Sequence, residues 1–327
     1  MKRASYAVRG PVPQDVIDAV DFEVPALEEG QALIEVLAAP INPSDVLTLT
    51  GQYGMLPPLP AVGGNEGVGR IAALGPNTAG LPVGQTVLLP VGCGTWATHV
   101  VAEVKRLVPL PNEADPKQLA MMTINPPTAL LMLRDFVDLQ PGDWVIQNAA
   151  NSAVGSYLIQ LAAMRGLKTV NVVRREAAAE GVQQLGGDVV LVDGDKLAKR
   201  VAAATGGAKI KLGIDAIGGE ATDRLAACLA EAGVLVNYGM MSGEPCRVSA
   251  ASFVFRDVTL RGFWLAKWFR NASPADQKAV FGEIAQGIIS GKLHARVAAT
   301  YPVEQIQQAV AAAASGERDG KILVGPA

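Results

Sequence analysis

The stretch DWVIQNAANSAVGS, residues 143–156, decides the fold. It begins as a short apolar strand and ends as the start of an Ala- and Leu-rich helix that runs to Gly166. Between the two, Ala149, Ser152 and Gly155 stand where a Rossmann turn needs very small residues. Such residues allow a tight bend, a close backbone approach to a pyrophosphate, and packing of the helix on the strand. By itself, this spacing also fits a purely structural turn.

The residue patterns on the two sides of this turn differ. After Pro141, apolar strands alternate with helical segments as far as VLVNYG, residues 234–239. This alternation is typical of βαβ units in a parallel sheet. Before residue 110, short apolar segments are separated by Gly and Pro, which indicates an irregular β-rich domain. The tail after His294 shows a strand, a helix and a strand.

The amino-acid composition limits the classes of protein to which this chain can belong. The chain has 327 residues, of which 50% are hydrophobic and 18% charged, so two domains with large cores are expected. A net charge of −3 without a block of like charges argues against nucleic-acid and membrane partners. No apolar run reaches the roughly 18 residues of a membrane span, and no signal or organellar presequence is evident. With three scattered cysteines, we expect a cytoplasmic protein without disulfides.

Two arginines indicate the cofactor. The strand TVNVV, residues 169–173, is followed by Arg174 and Arg175, about 25 residues after the turn. An NAD-selective site carries an acidic residue at such a place, whereas the 2′-phosphate of NADP favours a basic one. The alternative is that both side chains are merely solvated. We predict NADPH as the cofactor.

The order of these domains resembles the medium-chain dehydrogenase/reductase superfamily, many of whose members bind zinc. The resemblance implies that catalytic zinc would take a Cys and a His from segments corresponding to INPSD and GGNEG. This chain has Asn42 and Asn65 there instead. Three cysteines are too few for a four-cysteine structural site, and the two histidines lack ligand-spaced partners. We therefore expect no metal, and polarisation of the substrate by hydrogen-bond donors.

Longer motifs narrow the resemblance to one branch. The chain resembles the mitochondrial-type, zinc-independent trans-2-enoyl thioester reductases of the quinone oxidoreductase-like branch over nearly its whole length. Those enzymes reduce trans-2-enoyl-CoA or enoyl-acyl-carrier-protein with NADPH. The resemblance rests on INPSD (41–45), GQYG and LPAVGGNEG (within 51–67), INPPTALLML (124–133), LQPGDWVIQNAANSAVG (139–155), NYGMM (237–241), FRDVTLRGFWL (255–265) and GKILV (320–324).

The resemblance implies roles for particular residues. Tyr53 corresponds to the catalytic tyrosine, and Trp264 to a wall or gate for the acyl chain. Their alternative roles are packing of a Pro-rich loop and a core aromatic at a strand end. The cofactor contacts implied by the resemblance are Asn125, Asn151, Ser152, Ala153, Val154, Gly155, Arg174, Arg175, Tyr238, Gly239, Met240, Met241, Phe263, Trp264, Leu265 and Lys321.

Two positions depart from the family pattern. Glu176 stands where a further arginine is common, and Met240 replaces a common glycine. Both concern details of cofactor contact. We also expect Asn42 and Glu66 to form hydrogen bonds within the cleft, as remnants of a metal site, and Asp215 to be structural rather than catalytic.

The predicted fold is α/β, with a Rossmann doubly wound parallel sheet over residues 120–263. A GroES-like β-rich catalytic domain is predicted from residues 1–119 and 264–327, with the active site in the cleft between domains. The strand VTLRGF, residues 258–263, is expected near a sheet edge where a second subunit could pair with it, which predicts a homodimer.

The expected reaction explains why a tyrosine is needed. Hydride reaches the β-carbon of an enoyl thioester, negative charge develops on the thioester oxygen, and a proton reaches the α-carbon. The phenol O–H of Tyr53 could donate to either position. Two other functions stay open: an NADPH:quinone reductase of the same fold, and an NADPH-binding sensor protein without catalysis.

Overall fold

A computed structural model describes residues 1–316 and 319–326. The chain divides into two compact units. The β-rich unit comprises Met1–Thr123 and Ala295–Ala327, and the parallel-sheet unit comprises Ile124–His294. No helix among the described residues is long and apolar enough to cross a membrane.

The strands alternate with helices mainly in the second unit. The strands are β1 (Lys2–Tyr6), β2 (Asp18–Asp21), β3 (Gln31–Pro40), β4 (Ala61–Val62), β5 (Val68–Leu74), β6 (Thr86–Leu88), β7 (His99–Glu103), β8 (Val108–Pro109), β9 (Trp144–Gln147), β10 (Lys168–Val173), β11 (Val189–Val192), β12 (Ile210–Asp215), β13 (Val234–Asn237), β14 (Thr259–Gly262), β15 (Val297–Tyr301) and β16 (Lys321–Val324). The α-helices are α1 (Pro43–Thr50), α2 (Pro116–Leu119), α3 (Asn125–Arg134), α4 (Ala153–Met164), α5 (Ala179–Gln184), α6 (Leu197–Thr205), α7 (Gly219–Cys228), α8 (Ala250–Arg256), α9 (Leu265–Asn271), α10 (Pro274–Ile289) and α11 (Ile306–Ala314).

The parallel-sheet unit holds a six-stranded sheet in the order β11-β10-β9-β12-β13-β14. Neighbouring strands are all parallel. The chain therefore starts in the middle at β9, moves outward to β11, and then returns to build the other half from β12. This is the strand order of dinucleotide-binding Rossmann folds, and the reversal between β9 and β12 creates the crevice where ligands bind. The predicted doubly wound sheet is confirmed.

Helix α4 connects the two central strands β9 and β10. It is apolar on nearly all sides, and its residues Val154–Ala162 are buried. A helix that is hydrophobic all round must lie in a protein interior. Because α4 packs against both β10 and α3, its N-terminus is held firmly at the carboxyl end of β9.

The parallel-sheet unit extends beyond the predicted limit at residue 263. Helices α9 and α10 belong to it, since Phe269 and Phe281 stack with their centroids 5.8 Å apart and α10 packs on α3. Arg165, directly after α4, also lies 2.5 Å from the carboxylate of Glu283, and Gln160 of α4 donates to the carbonyl of His294 at 2.8 Å. These contacts join the segment to α4, so the chain returns to the β-rich unit only at residue 295.

The β-rich unit contains a seven-stranded sheet in the order β15-β16-β3-β5-β6-β8, with β7 paired to β3, and a three-stranded sheet β2-β1-β4. Strand β16 comes from the end of the chain and lies between β15 and β3. Its residues and those of α11 share one core with the N-terminal strands. The predicted separate β-rich domain is confirmed.

Strand β14 lies at the edge of the parallel sheet and pairs with β13, as the sequence predicted. Helix α8 precedes it and leaves three apolar side chains exposed. Phe253 is 42% exposed, Val254 71% and Phe255 81%.

Candidate active site

The turn after β9 has the conformation that its sequence indicated. Ala149 adopts a positive φ of 47°, a left-handed conformation in which a small residue is favoured. Ser152 caps α4, because its Oγ accepts a hydrogen bond from the backbone N–H of Gly155 at 3.1 Å. A side chain on Gly155 would place its Cβ 2.5 Å from the carbonyl oxygen of Ala150. The turn therefore requires glycine there, and a helix N-terminus of this kind suits a phosphate group.

Asp215 lies at the end of β12, beside the reversal in strand order. It is fully buried, and its carboxylate accepts hydrogen bonds from Asn148 at 2.6 Å, Thr222 at 2.7 Å and Asn237 at 3.0 Å. Backbone N–H groups of the following turn donate to the same carboxylate. Asp215 is thus fully engaged in tying β9, β12 and β13 together, and its predicted structural role is confirmed.

The segment after β13 is attached to the same place. The N–H of Tyr238 donates to the carbonyl of Asp215 at 2.9 Å, and the N–H of Met241 to that of Ala216 at 3.1 Å. A Cβ on Gly239 would lie 2.6 Å from the carbonyl oxygen of Ala216. Burial raises the pKa of the Tyr238 phenol, and a hydrogen bond with Ser152 opposes this shift. The segment therefore reaches the nucleotide turn.

Several other residues predicted to contact the cofactor belong to the parallel-sheet unit. Arg174 and Arg175 are exposed directly after β10, and Met240 and Met241 are more than half exposed. Asn125 is buried at the start of α3.

Phe263, Trp264 and Leu265 follow edge strand β14. The N–H of Phe263 donates to the carbonyl of Asn237 at 2.9 Å, which ties this segment to the end of β13. Trp264 is half-buried at the start of α9, and the guanidinium carbon of Arg270 lies 5.2 Å from the centroid of its ring. An arginine in this position over an indole forms a cation–π contact, which fixes the ring orientation.

Tyr53 belongs to the β-rich unit, in a loop of residues 51–65 that we call the Tyr53 loop. Helix α1 ends at Gly51, whose φ of 78° is left-handed. The backbone N–H groups of Gln52 and Tyr53 then both donate to the carbonyl of Leu47, at 2.8 and 3.1 Å. Tyr53 is half-buried, whereas residues 54–60 are exposed. The backbone of Tyr53 is thus fixed directly to the helix before it.

A cluster of buried polar side chains links the residues that precede this loop to those at its far end. Asn42 donates to Glu66 at 2.7 Å, and Asn65 donates to Asp45 at 2.6 Å. Lys321 donates to the side-chain oxygen of Asn42 and to a backbone carbonyl. Burial raises the pKa of Asp45 to about 6 and that of Glu66 to about 7, and the Lys321 ammonium partly offsets both shifts. Asn42 and Glu66 both form hydrogen bonds, as the sequence led us to expect, and the structure shows that they bond to each other.

Comparison with known proteins finds one matching family before the nucleotide turn and one after it. Residues 28–112 match the alcohol dehydrogenase GroES-like domain, and residues 153–280 match the zinc-binding dehydrogenase family. A mitochondrial enoyl-[acyl-carrier-protein] reductase from Rattus norvegicus is 39% identical over 306 residues, which are 92% of this chain and 82% of the relative. One from Arabidopsis thaliana is 41% identical over 262 residues, 78% of this chain and 70% of the relative.

The chain belongs to the enoyl-[acyl-carrier-protein] reductase family.

Solved structures agree with this membership. The complex of Etr1p with NADP and crotonyl-CoA superposes with a TM-score of 0.88 at 25% identity, covering 99% of both chains. The mitochondrial 2-enoyl thioester reductase heterodimer of Candida tropicalis gives 0.87 at 25% identity and the same coverage. A protein described as an NADPH:quinone reductase from Bacillus thuringiensis gives 0.89 at 28% identity, covering 100% of this chain and 99% of that chain. The family resemblance seen in the motifs is confirmed.

In this chain, the two positions that the resemblance assigns to zinc ligands carry amides. Asn42 and Asn65 both use their Nδ2 atoms as donors to carboxylates. In the described part of the chain, no group of three or more His, Cys, Asp or Glu side chains is arranged to hold a metal ion.

Lys321 differs from the other predicted cofactor contacts. Its side chain is 4% exposed, and its ammonium donates to Asn42 and to the carbonyl of Ile41 at 3.0 Å. The structure therefore brings Lys321 together with Asn42, Asp45 and Glu66 inside the β-rich unit. A direct contact between Lys321 and the cofactor stays a prediction.

Sequence reasoning missed the amides that organise the end of the parallel sheet. Asn148 follows β9 and Asn237 ends β13, the two strands on either side of β12, and both donate to Asp215. Polar residues at the carboxyl ends of buried parallel strands were the available signal, because such ends meet at one edge of the sheet.

Proposed function

We propose that this protein catalyses NADPH-dependent reduction of the C2–C3 double bond of trans-2-enoyl thioesters, either enoyl-CoA or enoyl-acyl-carrier-protein. The observation that carries the proposal is the likeness, over 99% of both chains, to a structure that holds NADP and crotonyl-CoA. The names of the curated relatives, enoyl-[acyl-carrier-protein] reductases at 39% and 41% identity, support the same reaction.

The residues of the parallel-sheet unit fit a dinucleotide. Gly155 and Gly239 let the nucleotide turn and the segment after β13 pack directly against the carbonyl oxygens of Ala150 and Ala216, where a Cβ would collide. The N–H groups at the start of α4 would hold the pyrophosphate, and Arg174 and Arg175 the 2′-phosphate. Asn125, the segment 238–241 and the segment 263–265 would contact the rest of the cofactor. When bound, NADPH supplies the hydride for the β-carbon.

Tyr53 is the proposed donor to the substrate. As hydride arrives at the β-carbon, the electrons of the double bond move toward the thioester carbonyl and its oxygen becomes an enolate. A phenol O–H that donates to this oxygen stabilises the developing charge, and the same group could instead deliver the proton to the α-carbon. The Tyr53 loop begins with two hydrogen bonds to Leu47, which limit the positions open to the ring. Trp264 would then form a wall for the acyl chain.

Further parts of the proposal concern metal, assembly and location. We propose that the enzyme works without zinc, because the amides of Asn42 and Asn65 are engaged as donors and offer no lone pair of nitrogen to a metal. We propose a homodimer formed through edge strand β14 and the exposed apolar side chains of α8. A cytoplasmic location stays a prediction, and the relatives are named mitochondrial.

One assay tests the reaction and the tyrosine together. NADPH oxidation is followed with short and medium trans-2-enoyl-CoAs and with a simple quinone, using the unmodified protein and Tyr53→Phe. The expected result is turnover of enoyl-CoA that falls roughly 100-fold or more in kcat when the hydroxyl is removed. Turnover of quinone only, equal in both proteins, would favour the quinone reductase function that the Bacillus thuringiensis likeness also fits. NADPH binding without any turnover would favour a sensor protein.

A further inference from the structure

One buried carboxylate joins the far end of the Tyr53 loop to the helix that precedes the loop. Asp45 lies in the first turn of α1, and Tyr53 follows the last turn of the same helix. At the far end of the loop, the Nδ2 atom of Asn65 donates to Oδ1 of Asp45 at 2.6 Å. Asp45 is 3% exposed. The hydrogen bond therefore closes a loop of residues 51–65 against the helix from which the loop starts.

The far end of this loop is also held by backbone hydrogen bonds, since the N–H of Gly63 donates to the carbonyl of Ala4 at 2.9 Å and the N–H of Gly92 to that of Asn65 at 2.9 Å, whereas its middle is exposed. Residues 54–60 are exposed, and the side chain of Arg9 donates to the carbonyl of Pro57 from a partly exposed position. The next regular contact is strand β4, where Ala61 and Val62 pair with β1. The loop ends, rather than its middle, fix its course, because exposed segments with few buried contacts are the easiest to displace.

The Asp45 carboxylate is committed to two tasks at once. Its Oδ2 accepts the backbone N–H of Asn42 at 2.7 Å and so caps α1, while its Oδ1 accepts Asn65. Burial raises the pKa of this carboxyl to about 6, and the two hydrogen bonds partly offset the shift. A buried carboxyl that lost the Asn65 donor would be left short of partners, so the bond is costly to break.

We infer that Asp45 is a positioning residue for Tyr53, and that its hydrogen bond to Asn65 sets the place of the tyrosine ring by closing the Tyr53 loop. This inference rests on the proposed function, in which Tyr53 is the donor to the substrate. Asp45 itself touches no reacting atom. Its contribution is geometric, and a displacement of about 1 Å at a catalytic group can cost two orders of magnitude in rate.

The pair can be broken and then restored with reversed roles. In Asp45→Asn, a single oxygen is left to accept both the Asn42 N–H and the Asn65 amide. In Asn65→Asp, two carboxylates face each other in a buried site. In the double variant, the amide oxygen at position 45 can accept the N–H of Asn42, and the amide nitrogen there can donate to the new carboxylate at position 65. Asp21→Asn, at an exposed carboxylate in the same unit, is the matched control.

The expected result is a loss of roughly 10- to 100-fold in kcat for each single variant, with recovery in the double variant. The KM for enoyl-CoA should change by less than about threefold, because the loss acts on the chemical step. In the Tyr53→Phe background, Asp45→Asn should cost nothing more, since the group that it positions is gone. Amide hydrogen exchange over residues 51–65 should be faster in each single variant and restored in the double.

Two results would overturn the inference. One is an unchanged exchange rate over residues 51–65 in both single variants. The other is a loss in kcat on Asp45→Asn that is equally large in the Tyr53→Phe background, which would mean that Asp45 acts on stability in general. An unmodified protein that does not reduce enoyl-CoA would overturn the proposed function instead, and the exchange measurement would still decide whether Asp45 closes the loop.

Discussion

The Nδ2 atom of Asn42 lies 2.7 Å from Oε1 of Glu66, while Lys321 donates to the Oδ1 atom of the same amide. One asparagine thus joins a buried ammonium to a buried carboxylate. Since both amide atoms have a fixed partner of the right polarity, the side chain has one allowed orientation. A position that corresponds to a zinc ligand in related dehydrogenases serves here as a hydrogen-bond bridge.

Removing the cation of this cluster should destabilise the β-rich unit. In Lys321→Met, Asp45 and Glu66 keep their burial but lose the ammonium that offsets it. Breaking a buried ion pair by removing one partner costs about 3–5 kcal/mol. Denaturant unfolding monitored by exchange in the β-rich unit measures the loss. Lys105→Met, which removes an exposed pair with Glu103, should change nothing measurable, and an equal effect of both variants would contradict this account.

Stability should depend on pH in a direction set by the same two carboxyls. Their pKa values are raised in the folded protein, to about 6 for Asp45 and about 7 for Glu66, so the folded state binds their protons more tightly than the unfolded chain. The resulting stability is complete below the unfolded pKa values of about 4 and is lost as the pH rises to about 7. Thermal midpoints measured between pH 4.5 and 7.5 should therefore fall.

Glu66→Gln separates this effect from the rest of the protein. The variant cannot release a proton at position 66, so its thermal midpoint should change less across the same pH range. Glu103→Gln, at an exposed site, should keep the slope of the unmodified protein. Asp21 and Asp143 have lowered pKa values and act with the opposite sign, but only at lower pH. A slope that is the same in Glu66→Gln would show that other groups cause it.

The nucleotide turn should not tolerate a methyl group. In Gly155→Ala, the new Cβ would lie 2.5 Å from the carbonyl oxygen of Ala150, so the start of α4 must move. We expect NADPH to bind at least roughly tenfold more weakly, measured by fluorescence titration. Gly282→Ala is the control, because nothing lies within 4 Å of its Cβ in α10. There alanine should stabilise the helix by about 0.5–1 kcal/mol without changing the affinity.

The two arginines after β10 should discriminate between the cofactors. Replacing Arg174 and Arg175 by alanine removes the charged donors to the 2′-phosphate, so the Kd of NADPH should rise roughly 10- to 100-fold. NADH lacks that phosphate, and its Kd should stay the same. Equal losses for both cofactors would assign the arginines to the structure of the unit rather than to recognition.

Assembly should depend on the apolar side chains of α8. Phe255 is 81% exposed, and a glutamate there would bring an uncompensated charge into a contact between two copies. Light scattering at micromolar concentration should show a dimer for the unmodified protein and a monomer for Phe255→Glu. Met164→Glu, at an exposed position on α4, should remain dimeric. A monomeric unmodified protein would exclude the proposed homodimer.

Local constraints explain what the sequence could predict. The small residues Ala149 and Gly155 must follow one another at fixed spacing, since the bend and the helix start are made by neighbouring residues. The alternation of strands and helices is likewise visible in a short window. These features predicted the Rossmann sheet and the turn, and the shared motifs predicted the family.

Contacts between residues far apart in the chain explain which features could not be predicted from the sequence. The ion pair of Arg165 with Glu283 joins the segment after β14 to the end of α4, and no property of that segment alone shows on which unit it lies. Lys321 and Asn42 are 279 positions apart, so their hydrogen bond is invisible to any local pattern. Asn42 and Asp45 form a capping box that spacing could have predicted, but the same spacing does not show that Asp45 also binds Asn65.

The position of β16 has a consequence for how the chain folds during synthesis. This strand lies between β15 and β3, and it carries the ammonium that faces Asp45 and Glu66. The ribosome makes it after the whole of the parallel-sheet unit. Domains fold as units during synthesis, so the nucleotide-binding half can fold while the N-terminal strands still lack a neighbour. The half that carries Tyr53 becomes complete last, with the cofactor's half already in place.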